Sequence, residues 1–238
     1  MKKSILFIFT ACFLFTTSCS DFLDEEHKTK YSSEYVFGTP EGLKLAVNAL
    51  YALQRYYAND TENATIFALE RGTDLAITNG GTGNFYGIYD PNYLKPSASQ
   101  VGFMWRTMYQ IIGKANEIIA AAEDLEDTPS LRATVSEAKC FRAQSYFLLY
   151  RTFDRIWLNI QPTTAENVND PRDFHAASEK EVFDLIYEDL EYAITNLDWV
   201  SDEAGRFTQA AARHMKAKAA LWLKDWDTTL EQVEEIEK

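Results

Sequence analysis

Cysteine is scarce: three in 238 residues, too few for a scaffold built from disulfides. Neither the cysteines nor the three histidines, His27, His175 and His214, have the paired spacing of a structural zinc site. Basic charge is also short. Against 36 acidic side chains stand 23 basic ones, a formal charge of -13, whereas a nucleic-acid binder needs a basic face to displace phosphate counterions. The same imbalance disfavours electrostatic docking onto anionic lipid. Catalytic signatures are missing as well: no Gly-x-Ser-x-Gly elbow, no His-Glu-x-x-His, no phosphate loop and no Ser-x-x-Lys. No cofactor and no metal is expected. What is present is globular composition, with 46% hydrophobic and 25% charged residues.

The chain starts with an address. Lys2 and Lys3 precede an uncharged apolar run from Ile5 to Phe15, then the small polar stretch Thr16-Thr17-Ser18, the layout of a secretory signal. Eleven residues rise about 16 Å as a helix, roughly half a hydrocarbon core, so a permanent span is excluded. Cys19 follows directly. A cysteine after a small residue at this point resembles the bacterial lipoprotein signal, in which the thiol is acylated and becomes residue one after cleavage. That signal usually has Leu three residues earlier, where this chain has Thr16, and a plain secreted protein with an incidental cysteine is the alternative. In the lipidated reading Cys12 leaves with the signal, Cys19 carries lipid, and Cys140 remains in a helix, so no disulfide forms within the chain. Loss of Lys2 and Lys3 with no acid takes the formal charge from -13 to -15. Residues 1–18 are thus read as signal peptide, and 19–37, opening Cys19-Ser20-Asp21-Phe22-Leu23-Asp24-Glu25-Glu26, as a lipidated start and solvated acidic tether.

Residues 38–238 read as helices. Thr39-Pro40 is an N-cap followed by proline at N1, with Leu43, Val47 and Leu50 on one face to about Tyr57. From Val101 to Ala122 apolar residues keep a 4-3-4-3 spacing through Trp105, Met108, Ile112, Ala115 and Ile119. Pro129 starts a helix to Phe153 with a stripe of Leu131, Val135, Ala138, Phe141, Ser145 and Leu148, and Arg142 and Arg151 are expected off it. Ser178 to Glu181 is a capping box before Val182, Ile186, Leu190, Ala193 and Leu197. Asp184, Glu188 and Glu191 read as the solvated face of that helix. Thr208 caps a helix carrying Ala212, Met215, Ala219 and Trp222, and a break at Lys224-Asp225 leads to Trp226, Leu230 and Val233. This last amphipathic helix has no closing signal, which suggests a natural chain that continues. Leu223-Lys224-Asp225-Trp226 stands where tetratricopeptide repeats often have Leu-Gly-x-Tyr, a pattern a bare helical hairpin also produces.

Between Arg71 and Pro96 the helical pattern fails. Asn79-Gly80-Gly81-Thr82-Gly83-Asn84 is turn chemistry, and Phe85, Tyr86, Tyr89 and Tyr93 follow without period. A dinucleotide loop is excluded, because Gly87 comes one residue late and no apolar strand precedes it. Flat rings can lie on the C–H face of a sugar while Asn79, Asn84, Asp90 or Asn92 takes its hydroxyls. Asn84, Tyr86, Tyr89 and Tyr93 are therefore candidate glycan contacts. The alternative is that these rings pack the loop onto the helices.

Several stretches together resemble the SusD/RagB family of outer-membrane lipoproteins, which bind nutrients, chiefly glycans, beside a TonB-dependent transporter. They are Cys19 to Asp24, Glu137-Ala138-Lys139 with Arg142-Ala143 and Tyr146-Phe147, Val182 to Ile186 with Asp189-Leu190, and Gly205-Arg206-Phe207-Thr208. The resemblance implies an all-α fold of tetratricopeptide-like helical repeats with an inserted irregular aromatic loop. It further implies repeats that pack on a SusC-like TonB-dependent transporter, a polysaccharide or oligosaccharide held by loops, a lipid anchor at Cys19, and display on the outer membrane. One departure concerns Phe153-Asp154-Arg155-Ile156-Trp157, where the family commonly has Phe-Gly-Asp-x-Pro, so this turn is expected to be built differently. Another is length: family members are usually longer, and this chain looks like an N-terminal portion. A helical scaffold with no ligand of its own and a surface glycosidase are the rival readings.

Overall fold

In the computed structural model the described residues are 31–59, 95, 99–171 and 174–238; the signal, Cys19, His27 and the loop residues Asn84, Tyr86, Tyr89 and Tyr93 lie outside them. Those from Ser33 onward belong to one unit. Its described helices run α1 Ser33–Gly38, α2 Pro40–Asn59, α3 Ser99–Ala122, α4 Pro129–Phe153, α5 Glu179–Asn196, α6 Gln209–Leu223 and α7 Trp226–Glu237. The fold is all-α, and successive helices lie side by side in the manner of tetratricopeptide-like repeats.

Local chemistry sets most helix starts. Thr39 Oγ1 accepts the Gly42 N–H at 3.1 Å and donates to the Tyr35 carbonyl at 2.8 Å, so one hydroxyl ends α1 and begins α2. Gly42 is required there: a Cβ would fall 2.2 Å from the Tyr35 carbonyl oxygen. This contact brings α1 onto α2, and both belong to the unit that runs from Ser33. Thr128 caps α4 through the Leu131 N–H, with Pro129 in its first turn. Ser178 and Glu181 make both bonds of the capping box of α5, as read from the sequence. Thr208 caps α6 through Ala211, and Asp225 caps α7 through Thr228.

α4 is the central helix and touches α2, α3, α5 and α6. That position corrects the stripe reading. Arg142, expected off the apolar stripe, is buried, and so are Glu137 and Lys139, because neighbours on several sides leave the helix little solvent face. Around them Phe141, Tyr146 and Leu149 of α4 meet Leu43, Val47 and Leu50 of α2, Met108, Ile111, Ile112 and Ile118 of α3, and Val182, Ile186 and Leu190 of α5 in one core. Each such aliphatic side chain contributes about 1.5–3 kcal/mol by leaving water. Cys140 is wholly buried here, and burial, reinforced by Asp189 and Glu137, pushes its thiol pKa well up; it is inert packing. On α7 the polar Gln232 points inward and accepts from Arg213 Nη1 at 2.9 Å, whereas Trp226, Leu230 and Val233 face outward.

Two connections use left-handed backbone without glycine. Lys224, at the repeat's usual glycine position, has φ 61° and ψ 25°. Asp154, where the resembling family has glycine, has φ 63° and ψ -56°, and its neighbours close a γ-turn of the rarer hand, Arg155 N–H donating to Phe153 O at 2.6 Å. Asp154, at positive φ, is strained. A side chain at positive φ costs about 1–2 kcal/mol, more than the ~0.5–1 kcal/mol that glycine's extra unfolded freedom takes back. Asp154→Gly is expected to raise stability by about 0.5–1 kcal/mol, read as a higher urea midpoint at unchanged slope.

Candidate functional site

The charged residues buried in α4 have partners from distant parts of the chain. Asp189 on α5 is fully buried, and its Oδ1 accepts from Lys139 Nζ and Arg142 Nη2 while Oδ2 accepts from Arg142 Nε, all at 2.8 Å. Arg142 Nη1 continues to Asn116 Oδ1 at 2.8 Å, and Asn116 Nδ2 donates to the Asn159 carbonyl at 2.8 Å. The second cation is further stabilised by the Tyr192 ring, 5.2 Å from Lys139 Nζ. Buried charge is tolerated only when paired and hydrogen-bonded, and this set is.

A second assembly joins α2, α4 and the turn before α6. The Tyr51 hydroxyl donates to Glu137 and accepts the Phe207 N–H at 2.7 Å. Arg206 donates to both Glu137 oxygens at 3.2 and 3.3 Å, to Glu203 at 2.9 Å and to Asn48 at 2.7 Å. Burial, then the bond to Glu137, raises the Tyr51 pKa far above the usual phenol range, so the hydroxyl stays protonated. Burial opposes the Arg206 charge, and Glu203 and Glu137 outweigh it. Beside these residues an open cleft of about 520 Å³ lies between α2 and the turn, lined by Asn48, Gln54, Arg55 and Gly205 among others.

The loop after α4 is gripped by tyrosines. Tyr109 OH donates to Trp157 O at 2.8 Å and accepts Trp157 N–H at 2.9 Å. Tyr146 OH does the same for Asn159, both at 2.8 Å. Ala177 N–H donates to Ile156 O at 2.8 Å and ties the two arms of the loop together. A line of touching rings leads outward along it: Trp105 to Tyr109 at 4.8 Å between centroids, Tyr109 to Trp157 at 6.4 Å, and Trp157 to Phe174 at 4.9 Å. Phe174 is 70% exposed.

Three of the stretches that suggested a family, those carrying Glu137 to Phe147, Val182 to Leu190 and Gly205 to Thr208, meet in these assemblies, and the fourth, Cys19 to Asp24, lies outside the described residues. Glu137, Lys139, Arg142, Tyr146, Asp189 and Arg206 spend their polar atoms on one another and on the chain, so they position helices and loops. Asp184, Glu188 and Glu191 are exposed on α5, with Lys180 on Asp184 at 2.5 Å and Lys216 on Glu191 at 2.6 Å, a solvated face as read. His175 and His214 are exposed, one in the loop and one on α6. The candidate contacts Asn84, Tyr86, Tyr89 and Tyr93, and the anchor Cys19, lie outside the described residues. The ring line ending at Phe174 was not found by sequence reasoning, since its members lie far apart in the chain; the one signal was Trp157 in place of proline.

Residues 21–221 match the model of a SusD-like family described as starch-binding and associating with the outer membrane, and the chain belongs to that family. A SusD-like protein of Bacteroides ovatus is 28% identical over 95% of this chain and 40% of its own length. A second SusD-like protein, from Formosa agariphila, is 30% identical over 94% of this chain and 42% of its own. Among solved structures, a laminarin-binding SusD-like protein superposes with a TM-score of 0.72 at 25% identity, over 82% of this chain and 43% of that one. The chain thus spans less than half the length of these relatives.

Proposed function

We propose that the protein is a non-enzymatic, lipid-anchored outer-membrane protein that binds glycans at the cell surface and passes them to a SusC-like TonB-dependent transporter. The observation that carries this reading is the division of labour in the chain. The family's motif residues are consumed in internal networks, which leaves ligand contact to other segments, and the sequence between Arg71 and Pro96, with its turn-rich and aromatic composition, carries Asn84, Tyr86, Tyr89 and Tyr93. The family's description and a laminarin-binding relative favour a neutral glucan as the ligand. A neutral ligand also suits a chain of formal charge -13. In this reading the helical pairs face the transporter and Cys19 holds the protein to the membrane.

Calorimetric titration with laminarin- and starch-derived oligosaccharides tests the proposal. Wild type should bind, and a Tyr86/Tyr89/Tyr93→Ala variant should bind at least tenfold more weakly, since stacked aromatics dominate such contacts. Equal affinity in the variant would remove the tyrosine platform, and released reducing ends would replace binding by hydrolysis.

A further inference from the structure

Resting on that reading, we propose a second glycan contact on this chain, in which Phe174, seated against Trp157, stacks on the apolar face of one pyranose ring. Single exposed apolar side chains are ordinary on protein surfaces, so exposure of Phe174 alone carries little. Its setting carries more. Phe174 ends a run of contacting rings that starts at the half-buried Trp105, packed against the core. The backbone beneath it is held at Ile156 by Ala177, at Trp157 by Tyr109, and at Asn159 by Tyr146 and Asn116. Two of those clamps use both the N–H and the C=O of one residue, which leaves the extended segment little freedom. A platform ordered before the ligand arrives loses little entropy on binding, the arrangement expected where a weak neutral ligand must be held.

Size and chemistry select the occupant. Rings 4.9 Å apart at 56° make a shallow angled ledge, about the extent of one sugar ring and far below the ~800 Å² per partner that a stable protein interface buries. Flat aromatic faces attract polarised C–H groups through the negative π-face. Exposed Asp154 and Arg155, immediately before the clamped segment, supply hydrogen-bonding groups for hydroxyls. Trp157 replaces the proline common in the family at this place, so the ledge is a feature by which this chain would differ from its relatives in the glycan it accepts.

The test titrates the same laminarin- and starch-derived oligosaccharides into wild type, Phe174→Ala, Trp157→Ala and Phe174→Tyr. Phe174→Ala should bind about tenfold more weakly, with an unchanged melting temperature because the ring is mostly in solvent. Phe174→Tyr should restore wild-type affinity, which a merely structural ring would not be needed to do. If wild type binds and both alanine variants bind equally well, the ledge is not a contact, and the glycan-binding reading stands without it. If wild type binds no oligosaccharide, that reading falls and the ledge with it.

Discussion

Replacing Asp189 by alanine is expected to lower stability by about 3–5 kcal/mol. The carboxylate is fully buried and is the shared acceptor for Lys139 and Arg142. Its removal leaves two cations inside α4 with one aromatic face and one amide between them. Breaking one side of a buried pair costs more than the pair itself is worth, because the uncompensated charge stays in the low-dielectric interior. Since a domain holds a margin of only about 5–15 kcal/mol, much of the variant should be unfolded or insoluble on expression. Asp189→Asn keeps an acceptor oxygen and should lose less. Urea unfolding followed by far-UV circular dichroism reads both, and a loss below about 1 kcal/mol for the alanine variant would show that solvent reaches the cations.

Cys19→Ala is expected to move the protein from the membrane fraction to the soluble periplasm almost completely. The apolar run Ile5–Phe15 is about half the length of a span. Among the described residues no helix is long and apolar enough to cross a membrane. A formal charge of -13 disfavours electrostatic attachment to anionic headgroups. Acyl chains, at about 0.8 kcal/mol for each buried CH₂, would then be the dominant attachment, and two or more chains make it effectively all-or-none. Fractionation with incorporation of a labelled fatty acid checks this, and a variant that still incorporates the label would refute acylation at Cys19.

Helix starts were legible in the sequence because each is decided within one turn. Thr39, the Ser178–Glu181 box and Thr208 make the bonds their spacing announced. The proposed glycan contacts Asn84, Tyr86, Tyr89 and Tyr93 rest on sequence composition and the family alone. The networks were not legible as such. A charged residue on a helix defaults to solvent, and only the packing of α4 among four neighbours turns Arg142 inward; its partner Asp189 lies 47 residues on. The same holds for Trp157 and Phe174, whose pairing depends on how the loop after α4 folds back.

The scarcity of cysteine and of basic charge set the expectation, before any fold, of a core held by packing rather than disulfides, and argued against a nucleic-acid partner. Periodicity and caps determined an all-α chain, because hydrophobic spacing and hydrogen bonds at helix ends act over a few residues. Only the tertiary structure decided that the motif charges are internal struts, that α7 turns Gln232 inward and Trp226 outward, and that Asp154 carries a strained turn. Those outcomes depend on which surfaces meet across tens of residues, and burial energies settle that only when all the helices are in place.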